Sequence, residues 1–486
     1  MKKCVFILIL VLILPLCLAG CFQEKETRLS TYRLDAEFDE ESDSLDCQMS
    51  LNYVNNSESA LDELCFFLYA NSFDEKQKCV PNSYRNQAYY VGTSYGNITI
   101  GSVFVLGEKA EFSISSPQSN ILTVKLQKQL FPNENVVVDM DFVVKLAKIN
   151  HRLGSGQNTI NFGNFLPLVC VYEYGKGFFK SEFSENGDPF YSDVANFEAT
   201  IRFDKKFGFV GTGEVKISDE DGKSVAMCKA QKVRDFCFLL SENFKMLSKV
   251  YNGVEVNYFY YDDENAERHL NTAVDCLKTF GELFCEYPYK VLNVVKSSFC
   301  FGGMEYPNLV TISDKITDQD TYDYVIAHEI AHQWWYGLVG NNEFSQPWVD
   351  ESLTDYSAML FFKKNPSYNI DYRVLMENAQ TTYENFVNIY AKINGSVDES
   401  MNRSLKEFNT DPEYTNCIYV KGVLMYDSLS SVLGERKFLA CLKDYSNRYK
   451  YKNVSGEELI ELFSKSSHVN LENFFKSWLE GNVVIG

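Results

Sequence analysis

His328 and His332 stand four residues apart with Glu329 between them, in His328-Glu329-Ile330-Ala331-His332, and Glu351 follows after a gap of 18 residues. On a helix, residues i and i+4 share a face one turn apart, so both imidazoles can reach one ion while Glu329 points beside it. Two imidazoles and a carboxylate make a three-ligand zinc set that leaves a fourth position for water, and a carboxylate beside that water is a general base. The spacing predicts metal-assisted hydrolysis, with His328, His332 and Glu351 as ligands to one Zn2+ per chain and Glu329 as the base. His151, His269 and His468 lie outside any metal-like spacing and are expected to be surface or satisfied core residues.

Two helices must present this set. The run from Thr321 to Val339 lacks proline, follows Asp and Thr residues suited to capping, and meets Gly340-Asn341-Asn342, so a helix is predicted there. A second helix must carry Glu351. Asp355 would share its face, where a carboxylate can accept the second ring N–H of a ligating imidazole and fix its tautomer. Asp350 is a weaker candidate for the same task.

With these residues in place, the chain resembles a known family. HExxH followed by 18 residues and Glu is the gluzincin pattern, and Gly302-Gly303-Met304-Glu305-Tyr306-Pro307 resembles the exopeptidase signature of the aminopeptidase N family. Tyr414-Thr415-Asn416-Cys417-Ile418-Tyr419-Val420-Lys421-Gly422 resembles the segment whose tyrosine, here Tyr419, is catalytic in that family. Asp188-Pro189-Phe190-Tyr191 and Gly211-Thr212-Gly213 agree more weakly. The resemblance implies that Glu305, with Gly302, Gly303 and Met304 around it, binds the free α-ammonium of a peptide, and that Tyr419 stabilises the oxyanion. One departure stands out. The family motif ordinarily ends in Asn where this chain has Tyr306, so the substrate backbone would lose an amide partner.

The implied fold is α+β. Alternating apolar residues at Tyr32-Leu34-Ala36-Phe38, Val136-Val138-Met140-Phe142-Val144 and Phe197-Ala199-Ile201-Phe203 predict strands. A β-rich, saddle-like N-terminal domain is therefore expected over 31–248. From Asn265 to Cys285 the pattern turns to an amphipathic helix, a short strand over Val291–Lys296 precedes the glycine motif, and a thermolysin-like, mainly helical domain is expected over 249–486. The resemblance places the active site between the two. Phe474-Phe475-Lys476-Ser477-Trp478 resembles the end of the family's catalytic domain, implying that the large C-terminal helical domain of many relatives is absent and the cleft more open.

Lys2 and Lys3, the apolar run Val5–Leu18 and Leu18-Ala19-Gly20-Cys21 read as a bacterial lipoprotein signal. Residues 1–20 would be removed, Cys21 lipidated, and 21–30 would form a tether to the bacterial cell membrane, on an extracytoplasmic side. Net charge is −20, and 44 basic against 66 acidic residues leave −22 after removal of the leader, which argues against nucleic-acid binding. Of 14 cysteines, 11 remain as possible thiols; with no CxxC spacing and apolar neighbours, they are expected to be mostly reduced core residues. The expected partners are peptides with a free N-terminus and the membrane. Two other readings remain open: a peptide-binding lipoprotein without turnover, and a related zinc endopeptidase or epoxide hydrolase.

Overall fold

The structure, a computed structural model, describes residues 28–115 and 119–483. Cys21, the leader and most of the expected tether lie outside the described residues. The chain is already held against the body at Arg28–Ser30, where the Arg28 guanidinium donates to Asn135 and the Ser30 carbonyl accepts from the amide of Asn196.

The N-terminal half is built on a mixed eight-stranded sheet. Strand Thr31–Asp39 lies at its centre, antiparallel to Ser44–Val54 and parallel to Ala195–Asp204. The predicted alternation holds residue by residue: Tyr32, Leu34, Ala36 and Phe38 face inward with Phe197, Ala199, Ile201 and Phe203 beside them. Tyr32 and Phe197, directly paired across the two strands, stack with ring centroids 4.8 Å apart. Two four-stranded sheets close this half over a phenylalanine-rich core.

The second half begins one strand earlier than the sequence suggested. The expected boundary at 248/249 falls inside strand Lys245–Tyr251, which pairs with Val254–Tyr260 in a five-stranded sheet of the second half. Its exposed positions mix Lys245 and Ser248 with Met246 and Val250, so its polar pattern carries no strong boundary signal. In that sheet Val254–Tyr260, Val291–Ser297 and Leu309–Ser313 run parallel, with helix Ala266–Leu283 as the crossover between the first two, and the short antiparallel strand Gly303–Met304 forms the edge. Helices Ala266–Leu283 and Gln319–Ala331 pack on it, Glu351–Lys364 packs on both of these and Lys421–Leu433 on Glu351–Lys364, around a second core.

The segment carrying the glycine motif joins the two cores. Its backbone belongs to the second sheet, while Phe299, Cys300, Met304 and Tyr306 bury their side chains in the first core. All 11 cysteines of the described body are buried and unpaired, as expected of small core hydrophobes. Burial raises thiols such as Cys47 and Cys237 well above their ordinary pKa, which keeps them uncharged.

Candidate metal centre and substrate cleft

Helix Gln319–Ala331 starts where Asp318 accepts a hydrogen bond from the amide of Thr321 at 2.8 Å. It was predicted to run to Val339 but ends at Ala331, with His332 as its last turn. Beyond it the amides of Gly337, Leu338 and Val339 reach back five residues, and Tyr336 adopts φ 110°. The early end serves the site, because the Trp335 carbonyl turns back to accept from His332 Nδ1 at 2.8 Å and leaves Nε2 for a ligand. A continuing helix would have spent that carbonyl on its own ladder.

Glu351 opens helix Glu351–Lys364, where the positive end of the helix favours a carboxylate. Its Oε2 lies 3.2 Å from His332 Nε2 and 3.4 Å from His328 Nε2, and the two imidazole nitrogens are 3.2 Å apart. A tetrahedral ion with bonds of about 2.0–2.1 Å holds its ligands about 3.3–3.4 Å apart, so this triangle fits zinc. Charge agrees. Burial disfavours imidazolium at both histidines, yet the surrounding carboxylates outweigh it and hold both well above the ordinary range, His332 at about 10. Burial likewise works against the Glu351 carboxylate, and the two imidazoles overcome it, His332 foremost, to keep it far below its usual pKa. A buried site that draws this much positive charge suits a divalent cation.

Asp355 sits where its spacing placed it, with Oδ1 3.2 Å from His328 Nδ1. Tyr324, one turn before His328, donates to the same oxygen at 2.8 Å. That i, i+4 relation to His328 was legible in the sequence but went unread. Asp350 does not touch a histidine; the Asn341 amide binds it at 2.9 Å.

Glu329 is buried with no partner for Oε2 among the described residues, and burial lifts its pKa to about 7 despite the neighbouring His328 and His332. That value suits a group that accepts and returns a proton near neutrality. Gly303 makes room for it, since a Cβ there would overlap the Glu329 carboxylate. Gly302 meets only Val325, at van der Waals distance, so space alone does not demand a glycine there.

Tyr419 lies on a π-helical stretch, Asn416–Val420, one wide turn ahead of helix Lys421–Leu433. The Ser352 hydroxyl donates to the Ile418 carbonyl at 2.6 Å, pinning this stretch to the Glu351 helix. The Tyr419 hydroxyl thereby reaches Glu351 Oε1 at 2.6 Å. Tyr414 stands beside it, hydroxyl to hydroxyl 3.5 Å.

These groups line a cavity of about 270 Å³ between the two halves. Glu305 enters just after the edge strand, buried, with Oε1 lacking a partner among the described residues; burial first, then the charge of Asp188, raises its pKa well above normal. The N-terminal half contributes Tyr84, Arg152, Glu185 and Asp188. Arg152 pairs with Asp188 at 2.6 Å. Arg152 went unnoticed because a lone arginine in a polar loop carries no pattern. Met304 is not among the lining residues, since its side chain packs in the N-terminal core, so the substrate-binding role expected for it finds no support in its position. Tyr306 also points away from the cavity, donating to Asn164 Oδ1 at 3.3 Å, while Asn164 in turn donates to Asp235 at 2.7 Å. Tyr306 thus forms a contact between the two halves. His151 and His269 are buried among aromatic and polar neighbours away from the metal centre, and His468 caps a helix in left-handed geometry.

Comparison with known proteins agrees with this architecture. Residues 268–478 match the peptidase family M1 domain. Aminopeptidase N of Lactococcus lactis subsp. lactis is 24% identical over 427 residues, covering 78% of this chain and 48% of its own length. The puromycin-sensitive aminopeptidase of Caenorhabditis elegans is 22% identical over 416 residues, covering 79% of this chain and 42% of its own. The chain thus spans half or less of these relatives. An M1 zinc metallopeptidase from Deinococcus radiodurans superposes with a TM-score of 0.67 at 15% identity, covering 94% of this chain and 96% of that one. A mutant M1 zinc metallopeptidase from the same organism, bound to a Tyr-Ser-Ala substrate, gives 0.65 at 14% identity, covering 94% of both chains. The metal-ligand triangle, the glycine motif at the cleft edge and the match over 268–478 converge on the aminopeptidase N-like gluzincins: residues 268–478 are similar to the peptidase family M1 domain, and the chain shares the fold of the M1 zinc metallopeptidases.

Proposed function

We propose that this protein is a zinc-dependent aminopeptidase that removes the N-terminal residue of peptides. The observation that carries the reading is Glu305, a buried carboxylate with an unpartnered oxygen in the same cavity as His328, His332 and Glu351. An unpaired buried charge is costly, and the free α-ammonium of a peptide relieves that cost. His328, His332 and Glu351 would hold the zinc, which when bound would supply Lewis acidity and lower the pKa of a bound water toward about 7. Glu329 takes the proton of the attacking water and passes it to the leaving amine. The Tyr419 hydroxyl, which rests against Glu351, turns to the oxygen on which charge develops at the scissile carbonyl. Gly303 lets the edge strand bring Glu305 close to Glu329, so that the amine anchor and the base act on the same residue.

Matched fluorogenic peptides with free and acetylated N-termini, with and without a zinc chelator, test the reading. Chelator-sensitive cleavage of the free series alone supports it. Equal cleavage of both series makes the protein an endopeptidase, and no cleavage with zinc bound makes it a binding protein.

The same proposal places the enzyme on the outer face of a bacterial membrane through lipidated Cys21, on the strength of Leu18-Ala19-Gly20-Cys21. Among the described residues no helix is long and apolar enough to cross a membrane. Replacement of Cys21 by Ser should move the protein out of the membrane fraction; unchanged fractionation removes this part of the reading.

A further inference from the structure

A second cavity, of about 480 Å³, opens at the seam between the two halves and shares no lining residue with the substrate cleft. The β-rich half supplies Tyr53, Asp193, Lys232 and Arg234 to it. The turn between helix Glu435–Tyr449 and the short strand Lys452–Asn453 supplies Lys450 and Tyr451, and that strand supplies Lys452. Among the described lining residues Asp193 is the single carboxylate, against three lysines and an arginine. In a chain of net charge −20 this local excess of cations runs against the trend.

The positive groups converge. Lys232 Nζ and Lys450 Nζ each lie 5.3 Å from the centroid of the Tyr451 ring, so two ammonium groups crowd one aromatic face. Arg234, buried, donates to the carbonyls of Ser192 and Lys452 at 2.8 and 2.7 Å, which fixes the turn without neutralising the charge. Asp193 answers Arg234, and Asn453 ties the two together by donating to Asp193 at 2.9 Å and accepting from Arg234. Lys450 and Lys452 form no ion pair among the described residues, so their charge is left over. Burial first, then the Asp193 charge, raises the Tyr53 phenol, which therefore stays a hydrogen-bond donor. Ammonium groups and a phenol donor, beside a carboxylate able to accept, suit a phosphate group that carries hydroxyls.

Location selects the source of that phosphate. Leu29 and Ser30 line the same cavity, and Cys21 precedes Leu29 by eight residues. Eight residues at about 3.5 Å each reach at most about 28 Å, so a lipid on Cys21 keeps the mouth of the cavity within that distance of the bilayer surface.

We propose that this cavity binds the head group of an anionic phospholipid of the phosphatidylglycerol type. The proposal rests on the lipid-anchor reading and goes beyond it: acyl chains hold the protein at the membrane, and the head group sets which face of the body turns toward it. Lys450, Lys452 and Tyr53 donate to the phosphodiester, and Asp193 accepts from the glycerol hydroxyls.

The test titrates glycerophosphoglycerol, glycerophosphocholine and inorganic phosphate into the zinc-loaded mature chain carrying Cys21→Ser, which bears no acyl chain. The same protein is sedimented at low salt with vesicles of phosphatidylcholine alone and of phosphatidylcholine mixed with phosphatidylglycerol. Binding of glycerophosphoglycerol and of the mixed vesicles alone is expected, weakened about fivefold by Lys450→Ala or Lys452→Ala and retained in Lys450→Arg. Equal sedimentation with both vesicles, or affinity unchanged in both alanine variants, overturns the proposal. Inorganic phosphate bound as tightly as glycerophosphoglycerol overturns it too, by making the ligand free phosphate. Because the protein tested is lipid-free, the head-group site stands or falls by titration, whereas the anchor reading stands or falls by membrane fractionation of the Cys21→Ser cells.

Discussion

On the floor of the cleft each ligating side chain has its second polar atom engaged: His328 by Asp355, His332 by the Trp335 carbonyl, and Glu351 by Tyr419. On the facing wall Glu305 Oε1 has no hydrogen-bond partner among the described residues, and Glu329 Oε2, between floor and wall, has none either. The contrast separates two kinds of charge complementarity. Floor groups are locked in orientation for a cation that stays, so their outer atoms are held by the fold. Under the proposed function, wall groups face a cation that comes and goes with each substrate, so their polar atoms stay free at some cost in stability.

Substitutions at the junction should break this division most. Glu329→Gln keeps the shape but accepts no proton, and kcat should fall by about 10²–10⁴ while the zinc content, measured by plasma mass spectrometry, stays at one per chain. Loss of zinc together with activity would move Glu329 to the floor group. Tyr419→Phe removes one oxyanion donor, for an expected loss of about 10²–10³ in kcat with little change in KM; an unaltered kcat would pass the role to Tyr414. Gly303→Ala forces the edge strand and Glu329 apart, and a shift of about an ångström at the reacting centre should cost about 10²-fold in kcat/KM.

Smaller effects should come from the supporting shell. Asp355→Asn weakens the hold on His328 and should reduce zinc affinity by about 10- to 100-fold in a competition titration, leaving kcat at saturating zinc close to wild type. Smallest of all, Tyr306→Phe loses one hydrogen bond to Asn164, worth about 1 kcal/mol in urea unfolding, with peptide turnover retained. A large loss of kcat there would restore Tyr306 to the substrate site that its resemblance to the family's Asn suggested.

The two halves of the chain were legible to different degrees. In the N-terminal half, Tyr32-Leu34-Ala36-Phe38 and its partner strands read directly, because a sheet with one covered face writes its burial into the sequence with a period of two. In the catalytic half the helices around the metal are buried on nearly every side. Helix Glu351–Lys364 hides 11 of its residues, Glu351 to Thr354 and Tyr356 to Phe362. With no polar face to mark its limits, such a helix shows little periodicity. For that reason the predicted end of the helix bearing His328 lies eight residues beyond the observed one, and the predicted domain boundary cuts the strand Lys245–Tyr251.

The sequence by itself determined the chemistry: His328, Glu329, His332 and Glu351 at their spacings, Asp355 one helical turn beyond Glu351, and Glu305 and Tyr419 through resemblance. Side-chain type and i, i+4 spacing are local properties, and they survive without knowledge of the fold. Only the tertiary structure decided which distant groups share the cavity. It brought Arg152, Asp188 and Tyr84 from the β-rich half and Asp411 from beyond the Glu351 helix to one cleft, and it turned Met304 and Tyr306 away from that cleft into the opposite core. Contacts between residues hundreds of positions apart are set by how two cores pack against each other, and no periodicity along the chain records that.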